Sequence, residues 1–325
     1  MRAILCHELT GPDALRLEEV PEPRPSPGQV RIQVRACGVN FADSLITRGQ
    51  YQKQPRPPFS PGFEVSGEVL ELGAGVSGIS IGDRVIAMTP HGGYAEQVVA
   101  DINRCVPMPA AMSWEHGAAF PVVFGTSHVA LWHRARLRAG ETLVVHGASG
   151  GVGLTAVAIG KQLGATVIAT ASGPAKLQVA REHGADHLID SSLEDVRTRI
   201  KELTEGRGAD VFYDPVGGEL FDASLRSIAF EGRILAIGFA SGTVPQIPAN
   251  HLLVKNVDVI GINWPAYAEL NPKVMTASLQ TLMQWYLAGA IKPHVSAIYP
   301  LTRSAEALDR VVSRKATGKI VITMD

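Results

Sequence analysis

The stretch Glu141-Thr-Leu-Val-Val-His-Gly-Ala-Ser-Gly-Gly-Val-Gly-Leu-Thr-Ala-Val-Ala-Ile-Gly-Lys161 constrains this chain more than any other. Its apolar run from Thr142 to Val145 suits a strand covered on both faces, as in a parallel sheet, because β-branched residues pack well there. Gly147, Gly150, Gly151 and Gly153 follow at once. Glycine permits a sharp turn at positive φ, lets a phosphate approach the backbone amides, and lets the next helix press onto the sheet. That helix then offers unpaired N–H groups and the positive end of its dipole to an anion. The order is Gly-x-x-Gly-Gly-x-Gly rather than Gly-x-Gly-x-x-Gly, and a strand-to-helix turn that binds nothing would share some of it. The strand before and the helix after are those a dinucleotide site requires, so Ser149, Gly150, Gly151 and Val152 are read as a pyrophosphate loop. Ser149 has glycine neighbours and no triad order around it, which makes it a phosphate-loop hydroxyl rather than a nucleophile.

From about Val122 strands and helices alternate, the pattern of a parallel sheet. Strands are expected at 142–146, 166–171, 187–190, 211–214, 233–237 and 258–263. Six such strands predict an α/β, doubly wound Rossmann domain over residues 122–265, with its ligand at the carboxyl ends of the strands. Residues 1–121 read instead as short strands punctuated by Gly and Pro, a β-rich, barrel-like domain. Within it, residues 30–36 alternate at period two, and the segment from Cys37 to Tyr51 is a turn leading into a short helix that Asn40 or Asp43 can cap. The tail 266–325 offers an amphipathic helix at 275–288, a strand at 295–299, a helix at 304–314 and a last strand at 319–323.

Composition narrows the function classes. A length of 325 residues with 46% hydrophobic content supports two domains with ordinary cores. The net charge of -1, from 30 basic and 31 acidic residues, gives no footprint for nucleic acid or anionic membrane. Cys6, Cys37 and Cys105 are odd in number and far apart, so neither a disulfide framework nor a Cys-x-x-Cys metal site is expected. A reducing, cytoplasmic setting follows, with no segment of the length that spans a bilayer.

Several ordered motifs carry a family resemblance. Gly75-Val76, Gly82-Asp83-Arg84-Val85, Gly92-Gly93-Tyr94-Ala95-Glu96 and the glycine turn together resemble the medium-chain dehydrogenase/reductase superfamily nearly end to end. Asn40-x-x-Asp43, Arg48-Gly-x-Tyr51 and Ala148-Ser-Gly-Gly-Val-Gly153 resemble its zinc-free quinone oxidoreductase branch, the zeta-crystallin-like enzymes. The resemblance implies a GroES-like catalytic domain over residues 1–121, completed by 266–325. Zinc alcohol dehydrogenases of the superfamily bind their metal through a cysteine just after a Gly-Val and a histidine in Gly-His-Glu. Asn40 and Phe63 stand at those places, and neither supplies what zinc prefers, so no metal is expected. Cys37 reads as a small core residue, and His91, His116, His128 and His133 as packing or surface histidines.

The cofactor is read from the end of the second strand. An NAD site usually places a carboxylate there for the ribose hydroxyls. The sequence runs Thr170-Ala-Ser-Gly-Pro-Ala-Lys176, with no carboxylate until Glu182. Ser172 leaves room for a 2′-phosphate and Lys176 places a cation beside it, which points to NADPH; Lys176 as a solvated helix lysine is the plainer alternative. The resemblance adds Lys315 as a phosphate contact and places Thr126, Gly238, Phe239 and Asn263 near the nicotinamide half. It also sets Asp214 beside the cofactor, although that residue could instead be only a turn-former.

Hydride transfer asks the protein for alignment and exclusion of water. A quinone or enone gains oxyanion character as it accepts hydride, and a neutral donor such as the Asn40 amide or the Tyr51 hydroxyl can stabilise it. Asn40 could instead be a turn residue and Tyr51 a packed aromatic. Asn40, Tyr51 and Thr126 are the catalytic candidates. The expected activity is NADPH:quinone reduction on a small-molecule acceptor, with reduction of an alkenal, enone or enoyl thioester, or a low-turnover NADPH-binding crystallin-like role, as alternatives. The apolar edge strand at 258–263 should not stay open, and relatives of this branch dimerise through that edge, so a homodimer is expected.

Overall fold

The alternation at 30–36 belongs to a longer strand, Gln29–Val39, which is the spine of the first unit in this computed structural model. Residues 1–324 are described. Val30, Ile32 and Val34 point inward and are fully buried. The strand pairs antiparallel with Glu64–Leu72, with Gln97–Asp101 and with Lys319–Thr323. The sheet runs Val295–Pro300, Lys319–Thr323, Gln29–Val39, Glu64–Leu72, Arg84–Met88, Cys105–Pro107. Its core gathers Phe59, Phe63 and Tyr94 with the branched residues of these strands and Leu308 of the helix Ser304–Val312. The first unit therefore comprises Met1–Val122 and the chain from Pro293 onward.

The second unit, Val123–Lys292, carries one six-stranded sheet in which every pairing is parallel. Its order is His187–Asp190, Thr166–Ala171, Thr142–Val145, Ala209–Asp214, Ile228–Ala236, Asp258–Gly261. Counted along the chain this is 3-2-1-4-5-6, the dinucleotide-binding order, with the reversal beside the first strand. Leu143, Val144 and Val145 are all fully buried, as a strand covered on both faces requires. No described helix is long and apolar enough to cross a membrane.

Two expected boundaries differ. The helix foreseen at 275–288, observed as Pro272–Leu287, belongs to the second unit and does not complete the first. Its buried face, Met275, Ser278, Leu279 and Leu282, has helical spacing, and Ser278 Oγ bonds His128 Nδ1 at 2.8 Å. An amphipathic face shows that a helix must pack, not which domain it packs on. The sixth strand is shorter than expected and ends at Gly261, so Asn263 lies past it, before the turn Trp264–Ala266.

Candidate active site

The glycine turn takes the shape its sequence requires. Gly147 has φ 55°, and a Cβ on Gly153 would lie 2.3 Å from the Gly147 carbonyl oxygen, so a side chain there would push the helix off the turn. The helix Gly151–Gln162 begins at Gly150, which provides no side-chain cap. Its first bond from outside is Leu154 N to Gly150 O at 2.9 Å. The amides of Gly151, Val152 and Gly153 consequently have no partner among the described residues. A Cβ on Gly150 would meet only the Gly147 oxygen, at 3.4 Å, so the space over these amides is open. Unpaired donors at the positive end of a helix of this length, under open space, suit a pyrophosphate. Ser149 is buried beside them.

Ala148 N donates to Thr170 O at 3.0 Å, which ties the turn to the end of the second strand. Past that strand Ser172 is exposed, Gly173 has φ 82° and precedes the helix Pro174–Glu182, and Lys176 sits in the first helical turn. The second strand carries no carboxylate, but the structure brings one from the third. Asp190 pairs in register with Ala171, and its carboxylate accepts the Gly173 amide at 3.1 and 3.2 Å through its two oxygens. Sequence reasoning missed this contact because it searched one strand end only. Two strands ending on the same row of a parallel sheet were the available signal.

The other strand ends align as well: Asp214 pairs with Ala236, and Ala236 with Gly261. Asp214 Oδ1 accepts the Val216 and Gly217 amides at 2.7 and 2.9 Å, which makes it a turn-former, while its Oδ2 is buried with no partner among the described residues. An orphaned carboxylate oxygen at this row suits a donor from a bound ribose or amide. Gly238 and the partly exposed Phe239 follow the adjacent strand, and a Cβ on Gly238 would reach only Pro215 atoms, the carbonyl oxygen nearest at 3.4 Å. Thr126 is buried on the helix Pro121–His128. Its neighbour Ser127 bonds Val152 O at 3.0 Å, and a Cβ on Gly125 would lie 2.4 Å from the Trp264 ring. Thr126, the glycine turn and the Asn263–Trp264 segment are thus brought together within the second unit.

In the first unit Asn40 and Tyr51 have different environments. Asn40 Nδ2 donates to Glu64 Oε1 at 2.9 Å and to Gly38 O at 3.2 Å, while its Oδ1 accepts from Lys319 Nζ at 2.7 Å. Both amide hydrogens are engaged within the protein, so Asn40 has none to give a substrate. Tyr51 is half-buried with its ring 5.1 Å from that of Phe63, and its hydroxyl has no partner among the described residues. Burial and the nearby Asp43 charge push the phenol up, which keeps it protonated. Lys315 is exposed in this unit, on a groove it shares with Arg48, Arg310, Asp13 and Asp309.

Behind Asn40 lies a buried polar network. Lys319 Nζ donates to Val39 O, Asn40 Oδ1 and Glu64 Oε1 at 2.7, 2.7 and 2.8 Å, using all three of its hydrogens. Glu64 Oε2 accepts the Val122 amide at 2.9 Å. Asp43 takes the amides of Asn40 and Gly62 and the Tyr94 hydroxyl. Burial pushes the Asp43 carboxyl up to about 7, against the pull of the Asn40 amide, the Lys319 charge, the Gly62 amide and the Tyr94 hydroxyl. Burial, with the charges of Asp43 and Glu64, also raises the Cys37 thiol well above its ordinary range, which makes it an inert core thiol.

Comparison with known proteins agrees with both units. Residues 26–110 match the alcohol dehydrogenase GroES-like domain and residues 151–282 the zinc-binding dehydrogenase family model. Quinone oxidoreductase-like protein 2 of Bos taurus is 41% identical over 325 residues, covering 99% of this chain and 92% of that one. The chain belongs to the medium-chain dehydrogenase/reductase superfamily, in its quinone oxidoreductase-like branch. Human quinone oxidoreductase is 31% identical, with 100% of this chain and 98% of that one covered. The crystal structure of Escherichia coli quinone oxidoreductase complexed with NADPH has TM-score 0.93 and 30% identity, covering 99% of this chain and 100% of that one.

Membership in this superfamily gives the Asn40 network added meaning. One of its two family models is described as zinc-binding, yet the described residues hold no group of three or more His, Cys, Asp or Glu placed to bind a metal. In this quinone oxidoreductase-like chain Asn40 is an amide held by an ammonium and a carboxylate, and the Phe63 ring carries Tyr51.

Proposed function

We propose that this protein is an NADPH-dependent reductase that delivers hydride to a quinone or related conjugated carbonyl without a catalytic metal. The observation that carries the reading is the row of unpaired amides at Gly151 to Gly153, tied to a second-strand end where Ser172 and Lys176 stand. The NADPH-bound Escherichia coli relative supports the cofactor, and the quinone oxidoreductase relatives support the acceptor. Bound NADPH supplies the hydride. The chain holds the pyrophosphate at the glycine turn, meets the 2′-phosphate with Ser172 and Lys176, and offers a buried acceptor at Asp214 Oδ2. Tyr51 donates its hydroxyl proton in a hydrogen bond to the acceptor oxygen as negative charge develops there. Asn40 and Phe63 replace the thiolate and imidazole a zinc centre needs, which supports a metal-free reaction.

The test is NADPH oxidation measured with a quinone, an enone and an enoyl thioester at one NADPH concentration. Quinone turnover is expected to lead; turnover with the thioester alone would replace the acceptor class, and stoichiometric zinc in active protein would end the metal-free reading. In the same assay Lys176→Ala should raise KM for NADPH about tenfold, the worth of one charge-assisted contact, and leave KM for NADH unchanged. Equal effects on both cofactors would remove Lys176 from the phosphate site.

We also propose a homodimer through the open side of strand Asp258–Gly261. Among the described residues that strand pairs only with Ile228–Ala236. Phe230, on the latter strand, and Leu253 and Val254, on the preceding helix, are 69%, 77% and 74% exposed, an apolar surface that association would cover. Light scattering after size exclusion should give twice the chain mass, and a Val259→Pro variant, which cannot continue the edge ladder, should run as a monomer. A monomeric wild-type protein would refute the proposal.

A further inference from the structure

Asp190 is a buried carboxylate with no cation beside it. Its Oδ1 accepts Ser192 N at 3.0 Å, Ser192 Oγ at 2.5 Å and Gly173 N at 3.1 Å. Its Oδ2 has a single long contact, Gly173 N at 3.2 Å. It makes no ion pair with any described residue, and its own amide donates to Glu194 Oε1. Neutral donors hold the group ionised, those of Ser192 foremost. One full negative charge is therefore fixed one residue from Ser172, at the start of the helix that carries Lys176.

We infer that Asp190 is a specificity-determining residue that opposes the 2′-phosphate and accepts a ribose 2′-hydroxyl, so that NADH serves as a second cofactor at the same site. The inference rests on the dinucleotide reading above and refines it. A carboxylate at the end of the second strand is what selects the free ribose in NAD sites. Here the group comes from the third strand but reaches the same turn, because Asp190 lies in register with Ala171. Oδ2, with one long contact, keeps a lone pair for a hydroxyl donor, whereas a phosphate in that position brings like charge against it. Lys176 pulls toward the phosphorylated cofactor and Asp190 away from it. The outcome is a site with a small preference rather than an exclusive one.

Asp190→Asn separates charge from scaffolding, since the Asn oxygen can keep the three contacts that Oδ1 makes. Dissociation constants for NADPH and NADH are measured by nucleotide fluorescence on wild type, Asp190→Asn and Ser192→Ala, with thermal unfolding to confirm that each is folded. Wild type should bind both, and Asp190→Asn should raise the preference for NADPH over NADH about tenfold, the scale of a unit charge within several ångströms of a phosphate in a solvated site. Ser192→Ala, which loosens the turn but keeps the charge, should leave the ratio unchanged. An unchanged ratio in Asp190→Asn, or an equal loss of both nucleotides, overturns the inference and leaves NADPH binding intact as a conclusion. Failure of the wild type to bind either nucleotide would instead overturn the function itself.

Discussion

Tyr51→Phe is expected to lower kcat for quinone reduction about a hundredfold while KM for NADPH stays within about twofold. The ring is held by Phe63 at 5.1 Å, and phenylalanine keeps that packing, so the change removes one oxygen and little else. The protein leaves that oxygen unpartnered among the described residues, whereas the Asn40 amide is bound to Glu64 and Gly38. Burial pushes the phenol up, so at neutral pH it is a neutral donor that costs no proton transfer to present. Such a donor acts only as charge appears on the acceptor oxygen, which places its effect in kcat rather than in cofactor affinity. Removing one oxyanion donor from a site of this kind costs about two to three powers of ten, the basis for the figure. Steady-state kinetics on both proteins decide the matter. An unchanged kcat would make Tyr51 a packing aromatic, and a raised KM for NADPH with unchanged kcat would place it at the cofactor.

The parts of this molecule that could be read from the sequence are those whose physics is local. The glycine turn needs positive φ at Gly147 and no Cβ at Gly153, and both demands are met by residues within one turn of each other. The doubly wound parallel class of the six strands follows from alternation of strand and helix, because parallel neighbours need crossovers, whereas their order 3-2-1-4-5-6 is seen only in the structure. What stayed hidden is non-local. Lys319 reaches Glu64 across 255 residues, and nothing in the sequence near either distinguishes a buried pair from two surface charges. Asn40 was legible as a turn residue and as a donor, but only the structure shows that Glu64 and Gly38 take its hydrogens. Asp190 was legible as a strand end, and its approach to Gly173 depends on the register of two strands. The helix Pro272–Leu287 had a clear apolar face whose partner, the segment around His128, was fixed only by the packed fold.

Lys319→Met should destabilise the first unit by about 3–5 kcal/mol, the cost of leaving a buried charge without its counter-ion. Glu64 is fully buried and Lys319 nearly so, which excludes water as a replacement donor at the site. Methionine matches the length of the lysine stem but cannot bond Val39 O, Asn40 Oδ1 or Glu64 Oε1, so three acceptors lose a partner at once. The carboxylate that remains keeps only neutral donors, the Asn40 amide and the Val122 N–H. Adding Glu64→Gln removes the stranded charge and should restore more than half of the loss, because the two changes act on one interaction and are not additive. Urea denaturation gives the overall change, and amide exchange in strand Gln29–Val39 assigns it to the first unit, since that strand ends at the network. If Lys319→Met alone lies within about 1 kcal/mol of wild type, the ammonium is not what balances Glu64, and the account of the site fails with it. A loss that Glu64→Gln reverses would show that charge, rather than packing volume, fixes the strand end carrying Asn40. That is the same ground the Phe63 ring stands on when it holds Tyr51 in place, because Phe63 and Glu64 are consecutive residues.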